Sequence, residues 1–198
     1  MKNDNLQEVE VKLHSPDLAA VRKALEKAGA VLLKPRVFER NLRYDSADGT
    51  LMAAGIVLRL RQDEAVKLTY KADASIADGI VSRFEAEVTV SDFDTMDVIL
   101  RRLGYRVGLI YEKYRSTYAL ASAEVVLDEL PYGNFTEIEG DVETIERAVA
   151  MLGLGGCRRM TGSYTDIFLG LKERLDLDVE DCTFDEFVGV DVDLSQAI

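Results

Sequence analysis

The chain has 198 residues, 47% of them hydrophobic and three of them proline, which suits one domain with a sizeable core and excludes general disorder. A net charge of −12 disfavours non-specific nucleic-acid binding, which relies on basic surface, but does not exclude a buried basic site for a small anion. Residues 175–198 hold eight acids and no Lys or Arg, so the rest of the chain carries 24 basic and 28 acidic residues, a net −4. No apolar run approaches the roughly 20 residues that a membrane helix needs, and the opening MKNDNLQEVE has no signal-peptide apolar region. The expectation is a soluble, cytoplasmic protein with no membrane partner.

The first strand is expected at 6–13, where Glu8, Glu10 and Lys12 alternate with Val9, Val11 and Leu13. A helix follows over 15–29, started by Ser15 with Pro16 in its first turn, aligned by Leu18, Val21 and Leu25, and stopped by Gly29. Strands are predicted at 37–45, 56–62, 65–72 and 80–90, separated by the turn signals SADG (46–49), QDE (62–64) and ADASIADG (72–79). Next come a helix over 91–104 and strands at 107–118, 123–130 and 134–140, the last two split by PYGN. Helices over 140–153 and 163–175 complete the pattern. Tightly joined strands, with helices after the first, fifth and eighth, predict an antiparallel α+β domain over 1–174. The acidic extension 175–198 reads four ways: an edge strand, a packed helix, a dimer contact or a flexible tail.

Side chains alternate along a strand, so Arg59 and Arg61 share a face, as do Lys67, Thr69 and Lys71; Arg83, Glu85 and Glu87; Lys113 and Arg115; and Glu137 and Glu139. Asp128 aligns with Val126. One such strand alone is more simply a solvated sheet face. The set separates carboxylates onto strands one, five, seven and eight, and cations mainly onto three, four and six. Carboxylates hold divalent ions while Arg and Lys grip phosphate oxygens, which is the division of labour a metal–triphosphate site requires. An eight-stranded closed sheet is wide enough to enclose one small ligand, with its apolar outer face under the helices. His14 is the one histidine, and Cys157 and Cys182 the two cysteines, too few for a thiolate site. Any metal is then held by oxygen, which favours Mg²⁺, Mn²⁺ or Ca²⁺. Tyr44 and Tyr164 read either as tunnel-mouth or base-stacking rings or as core and rim tyrosines.

These residues resemble the CYTH family, the triphosphate tunnel metalloenzymes, which include CyaB-type class IV adenylate cyclases and thiamine triphosphatases. EVEVK fits the ExExK signature, followed in order by YDSADGTL, LRLR, LTYK, FEAEV, EKYR, VVLDEL, FTEIE and SYTDIFL. LTYK, EKYR and the closing SY are most similar to the CyaB-like branch. The resemblance implies an eight-stranded antiparallel closed barrel, or tunnel, with helices packed outside, binding a nucleoside, thiamine or inorganic triphosphate with Mg²⁺ or Mn²⁺. It implies Glu8, Glu10, Asp128, Glu137 and Glu139 as metal ligands, and Lys12, Arg59, Arg61, Lys71, Lys113 and Arg115 as phosphate ligands. Glu8, Glu10 and Lys12 of the signature form its catalytic set. Glu85 and Glu87 read as supporting partners or further ligands, and Lys67 as an added phosphate contact. The implied reaction is conversion of ATP to cyclic AMP and pyrophosphate, with tripolyphosphate or thiamine triphosphate hydrolysis, or binding without turnover, as the alternatives. A homodimer is left open.

Overall fold

The computed structural model describes residues 6–194. The leader reading of residues 1–5 and the last four positions of the acidic extension lie outside the described residues. The elements in chain order are β1 (Gln7–His14), α1 (Leu18–Lys27), β2 (Val31–Ser46), α2 (Thr50–Ala53), β3 (Val57–Gln62), β4 (Val66–Ala77) and β5 (Ile80–Val90). They continue with α3 (Phe93–Arg102), β6 (Tyr105–Leu120), β7 (Ala123–Leu130), β8 (Gly133–Glu139), α4 (Val142–Met151), β9 (Arg159–Met160) and α5 (Tyr164–Leu175).

All eight expected strands form, and their hydrogen bonds run in a ring. The order is β5-β4-β3-β2-β6-β7-β8-β1, every pair antiparallel, and β1 closes back onto β5. Closure is possible because β1 uses one stretch, Gln7–Val11, against β5 and an overlapping stretch, Glu10–His14, against β8. The two-residue β9 adds to the end of β1 at Lys12 and Leu13. Pro35, which lacks a backbone N–H, falls where the β2–β6 register shifts between Lys34 and Val37.

Alternation puts apolar side chains outside the ring, where the helices cover them. Leu18, Val21 and Leu25 of α1 and Ile145, Ala148 and Val149 of α4 pack on Val11, Val125, Leu127 and Ile138. Leu100 of α3 covers Leu42, Tyr44, Leu58 and Leu60. Tyr44 is therefore a core ring, its hydroxyl donating to Asp97 at 2.7 Å. The α5 cluster is on the other face: Tyr164, Ile167, Phe168 and Leu171 gather with Leu109, Tyr132 and Phe135, and Leu109 and Phe135 share their strand faces with the cavity-lining Lys113 and Glu137.

Three local expectations change. The cap of α1 is Asp17, whose side chain accepts from Ala20 N at 2.9 Å, so Ser15 and Pro16 precede the helix. ADASIADG is not one long turn: β4 continues to Ala77 because a bulge between Ala72 and Ser75, with Asp73 at φ 54°, absorbs the irregularity. The reversal is then made by Asp78 and Gly79, at φ 51° and 76°, the left-handed pair that a tight hairpin demands. The SADG turn leads into the four-residue α2, held by buried Asp45, whose carboxylate accepts from Ser46 N and Leu51 N.

The acidic extension is packed on the barrel. Val179, Cys182, Phe187 and Leu194 join the α5 core. Beside β6, Cys182 N donates to Ile110 O and Glu112 N to Cys182 O, both at 2.9 Å, while Ile110 N donates to Asp181 Oδ1. These groups belong to the part of β6 before Tyr114, where β7 pairing begins. A Cβ on Gly133, which sits at φ 156°, would meet the end of the Leu194 side chain and force it to shift.

Candidate functional site

The barrel encloses a cavity of about 540 Å³, and the charged inner faces form its wall. Glu8, Glu10, Lys12, Arg59, Arg61, Lys67, Lys71, Glu85, Glu87, Lys113, Arg115, Glu137 and Glu139 all line it, so thirteen of the fourteen expected site residues converge. Reading round the ring, β8, β1 and β5 supply an acidic arc, while β4, β3, β2 and β6 supply a mainly basic one. The segregation between strands thus becomes two facing walls.

Asp128 is the exception. It is fully buried and off the cavity wall, accepting hydrogen bonds from Lys113 Nζ (3.1 Å), Arg115 Nε (2.7 Å) and the Tyr164 hydroxyl (2.8 Å). Strand alternation gives its face correctly but says nothing about depth, and its oxygens are spent on these donors. These contacts hold two cations and the Tyr164 ring, which lies 4.6 Å from Lys12 Nζ and 4.9 Å from Lys113 Nζ. Tyr164 is therefore a wall residue whose hydroxyl is engaged, and α5 reaches the cavity through Ser163, Tyr164 and Thr165.

The structure adds wall residues missed in the sequence: Glu39 and Arg43 on β2, Tyr111 on β6 and Glu124 on β7, with Arg83 placed on the acidic arc. The signal for Glu39 and Arg43 was available. In FERNLRYD the same period of two sets Glu39, Asn41 and Arg43 opposite Phe38, Leu42 and Tyr44.

The walls hold each other. Glu8 accepts from Lys71 Nζ at 2.7 and 2.8 Å and from Arg83 Nε at 2.6 Å. Burial disfavours its charge, but Lys71 and Arg83 outweigh burial and bring its carboxyl down to about 2. Glu137 lies 3.0 Å from Lys12 and also pairs with Arg115; these cations overcome burial and lower it well below the carboxylate range. Glu39 is lowered the same way, burial again opposing and Lys113, Arg115 and Arg61 prevailing. Glu87 reaches Lys67, Arg59 and Arg61.

Glu139 differs. Among the described residues it makes no ion pair, and desolvation at the wall together with the charges of Glu8, Glu124, Glu10 and Glu85 raises it to about 7. Such crowding of carboxylates is relieved by a cation, and the donor set is all oxygen, which fits Mg²⁺ or Mn²⁺. Among the described residues no three Asp, Glu, His or Cys side chains already stand in a metal-holding group. Glu8, Glu10 and Glu137 are engaged with Lys and Arg, so cation binding requires those amines and guanidinia to move to another anion. His14 stands outside the set, beside Phe135.

A pH dependence follows. A carboxyl raised in the fold stabilises the folded state below its unfolded value near 4.5, and that contribution is lost as pH rises through about 7. The ligand-free protein should lose melting temperature over this window, Glu139→Gln should flatten the loss, and millimolar Mg²⁺ should raise melting more at pH 8 than at pH 5. An equal Mg²⁺ effect at both pH values would remove Glu139 from the cation site.

A closed antiparallel barrel with a charge-lined interior defines the class. The chain belongs to the CYTH family, whose domain matches residues 6–151. It is 27% identical over 140 residues to a Methanocaldococcus jannaschii protein named "Putative adenylate cyclase", covering 70% of this chain and 79% of the relative. The fold is similar to the X-ray structure of a Vibrio parahaemolyticus protein described as a "putative adenylate cyclase" (TM-score 0.71, 23% identity, 82% of this chain and 97% of the other). It is also similar to a Hippeastrum protein described as a "putative adenylyl cyclase" that reveals a dominant triphosphatase activity (TM-score 0.63, 18% identity, 82% and 95%). At these identities the two structures bear on the fold alone. No described helix is long and apolar enough to cross a membrane.

Proposed function

We propose that this chain is a divalent-metal-dependent enzyme acting on a triphosphate inside the barrel, with conversion of ATP to cyclic AMP and pyrophosphate as the first assignment. The observation that carries the reading is the pair of facing walls. Ten acidic and ten basic side chains line the cavity, so its own charge cancels and a ligand of cancelling charge, a tetra-anion with divalent cations, is accommodated by exchange of partners. Arg59, Arg61, Lys71, Lys113 and Arg115 hold the phosphate oxygens, the guanidinia as forks and the amines as point charges. Glu8, Glu10, Glu137 and Glu139 hold Mg²⁺ or Mn²⁺, which when bound polarises the phosphoryl oxygens and the attacking hydroxyl. As Lys71 and Arg115 turn to phosphate, Glu8 keeps only Arg83 and Glu137 only Lys12, so each carboxylate has an oxygen to offer a cation and the two binding events assist each other. Asp128 and Tyr164 keep Lys113 and Arg115 oriented for in-line attack.

A second reading, attack by water at the terminal phosphorus, is favoured by the lining. Its aromatic residues are Tyr111 and Tyr164, and both hydroxyls are engaged, by Arg59 at 3.1 Å and by Asp128 at 2.8 Å. Both rings are buried, so neither offers an open face to a base. The adenylate cyclase name of the archaeal relative supports the first assignment. Incubation with ATP, tripolyphosphate or thiamine triphosphate, each with Mg²⁺ or Mn²⁺, decides between them. Cyclic AMP with pyrophosphate is the expected product from ATP, orthophosphate from tripolyphosphate selects hydrolysis, and metal-dependent binding with no turnover of any of the three overturns the enzymatic reading.

A further inference from the structure

Arg43 stands apart from the other interior cations. Lys12, Arg59, Arg61, Lys71, Lys113 and Arg115 each have a carboxylate within 4.0 Å. Arg43 is 5% exposed, lines the cavity, and has no carboxylate partner among the described residues. Its hydrogen bond is a long one, from Nη2 to Ile56 O at 3.4 Å, and its buried Nε has no acceptor. Across the sheet it faces Arg59 on β3 and Leu109 on β6. A buried guanidinium beside a second one is a costly arrangement unless an anion joins them, because arginine cannot shed its charge. Burial, reinforced by Arg59 and Arg83 against Tyr111 and Asp166, lowers its affinity for the proton, as expected of a cation short of anions. The outer side of this stretch is held by Leu42 and Tyr44.

We propose that Arg43 is a further substrate-binding residue, clamping a phosphate group together with Arg59. The proposal rests on the triphosphate reading and extends it to a residue outside every motif that carries the family resemblance. A guanidinium whose Nε lacks an acceptor and whose one hydrogen bond is long has donors to offer a phosphoryl group, and the neighbouring Arg59 adds donors to the same anion. The cavity would then discriminate in favour of ligands whose phosphate chain reaches this wall.

The test compares wild type, Arg43→Gln, Arg43→Lys and the exposed control Arg36→Gln by calorimetric titration with tripolyphosphate in the presence of Mg²⁺, and by melting with and without it. Arg43→Gln should weaken binding about 10- to 100-fold, as loss of a charge-assisted hydrogen bond predicts. Arg43→Lys should recover part of it, and Arg36→Gln should match wild type. Without ligand, Arg43→Gln should melt at or above the wild-type temperature, since an unpaired buried charge has been removed. Binding equal to wild type in Arg43→Gln overturns the proposal and leaves the triphosphate reading standing. Melting below wild type with an unchanged ligand-induced shift also overturns it, by making Arg43 structural. Wild type that binds no tripolyphosphate overturns both.

Discussion

Asp128→Asn should lower the stability of the ligand-free protein by about 3–5 kcal/mol, the loss expected when one partner of a buried ion pair is removed. For a domain of this size that is a drop of about 6–20 °C in melting temperature. The replacement keeps the shape but leaves Lys113, 1% exposed, and the inner edge of Arg115 without their shared carboxylate, and it unseats the Tyr164 hydroxyl. Thermal melting checks this directly. Unchanged melting combined with weakened Mg²⁺ binding would give Asp128 back the metal-ligand role suggested by the sequence. Removing both Asp128 and Lys113 should cost less than the sum of the single changes, because each single variant strands the other's charge.

Glu10→Ala should reduce metal-dependent turnover by at least about 100-fold, the size expected when several kcal/mol of charge stabilisation is withdrawn. Glu10 lies opposite Glu139 in the β1–β8 register and 2.9 Å from Arg83. Arg83 keeps Glu8 as a partner in the variant, so melting should change by only a few degrees. Activity assays across a Mg²⁺ titration separate the outcomes: a lost response to metal fits the assignment, and full activity at every concentration removes Glu10 from the site.

The barrel was legible because its logic is periodic. Most barrel strands carry apolar residues at alternate positions over part of their length, and that rhythm survives without homologues; the LRLR of β3 and the EVEVKL of β1 need no more than alternation to fix which side chains point inward. Alternation does not report what each inward residue meets. Glu139 and Glu137 are two residues apart on one face, yet one is crowded by carboxylates and the other clamped by Lys12 and Arg115. Asp128 shares the rhythm but sits behind the wall. Glu39 and Arg43 follow the same alternation on β2, just before the YDSADGTL motif. The β4 overrun was harder to foresee, since a bulge lets a segment rich in turn formers stay paired. For the extension, alternation in LDLDVED left strand, helix and tail equally open; what decides is the arrangement of Ile110 and Glu112, which lie far away in the chain.

That arrangement bears on how the protein avoids its own kind. A ring of strands protects its backbone only where each strand is flanked on both sides, and β6 before Tyr114 would otherwise present unpaired N–H and C=O groups to any passing extended segment. Cys182 and Asp181 occupy those groups, and the acidic side chains around them add like-charge repulsion between molecules. The extension thus works as a guard against edge-to-edge aggregation, a burden that the barrel strands, committed to lining a charged interior, are poorly placed to carry.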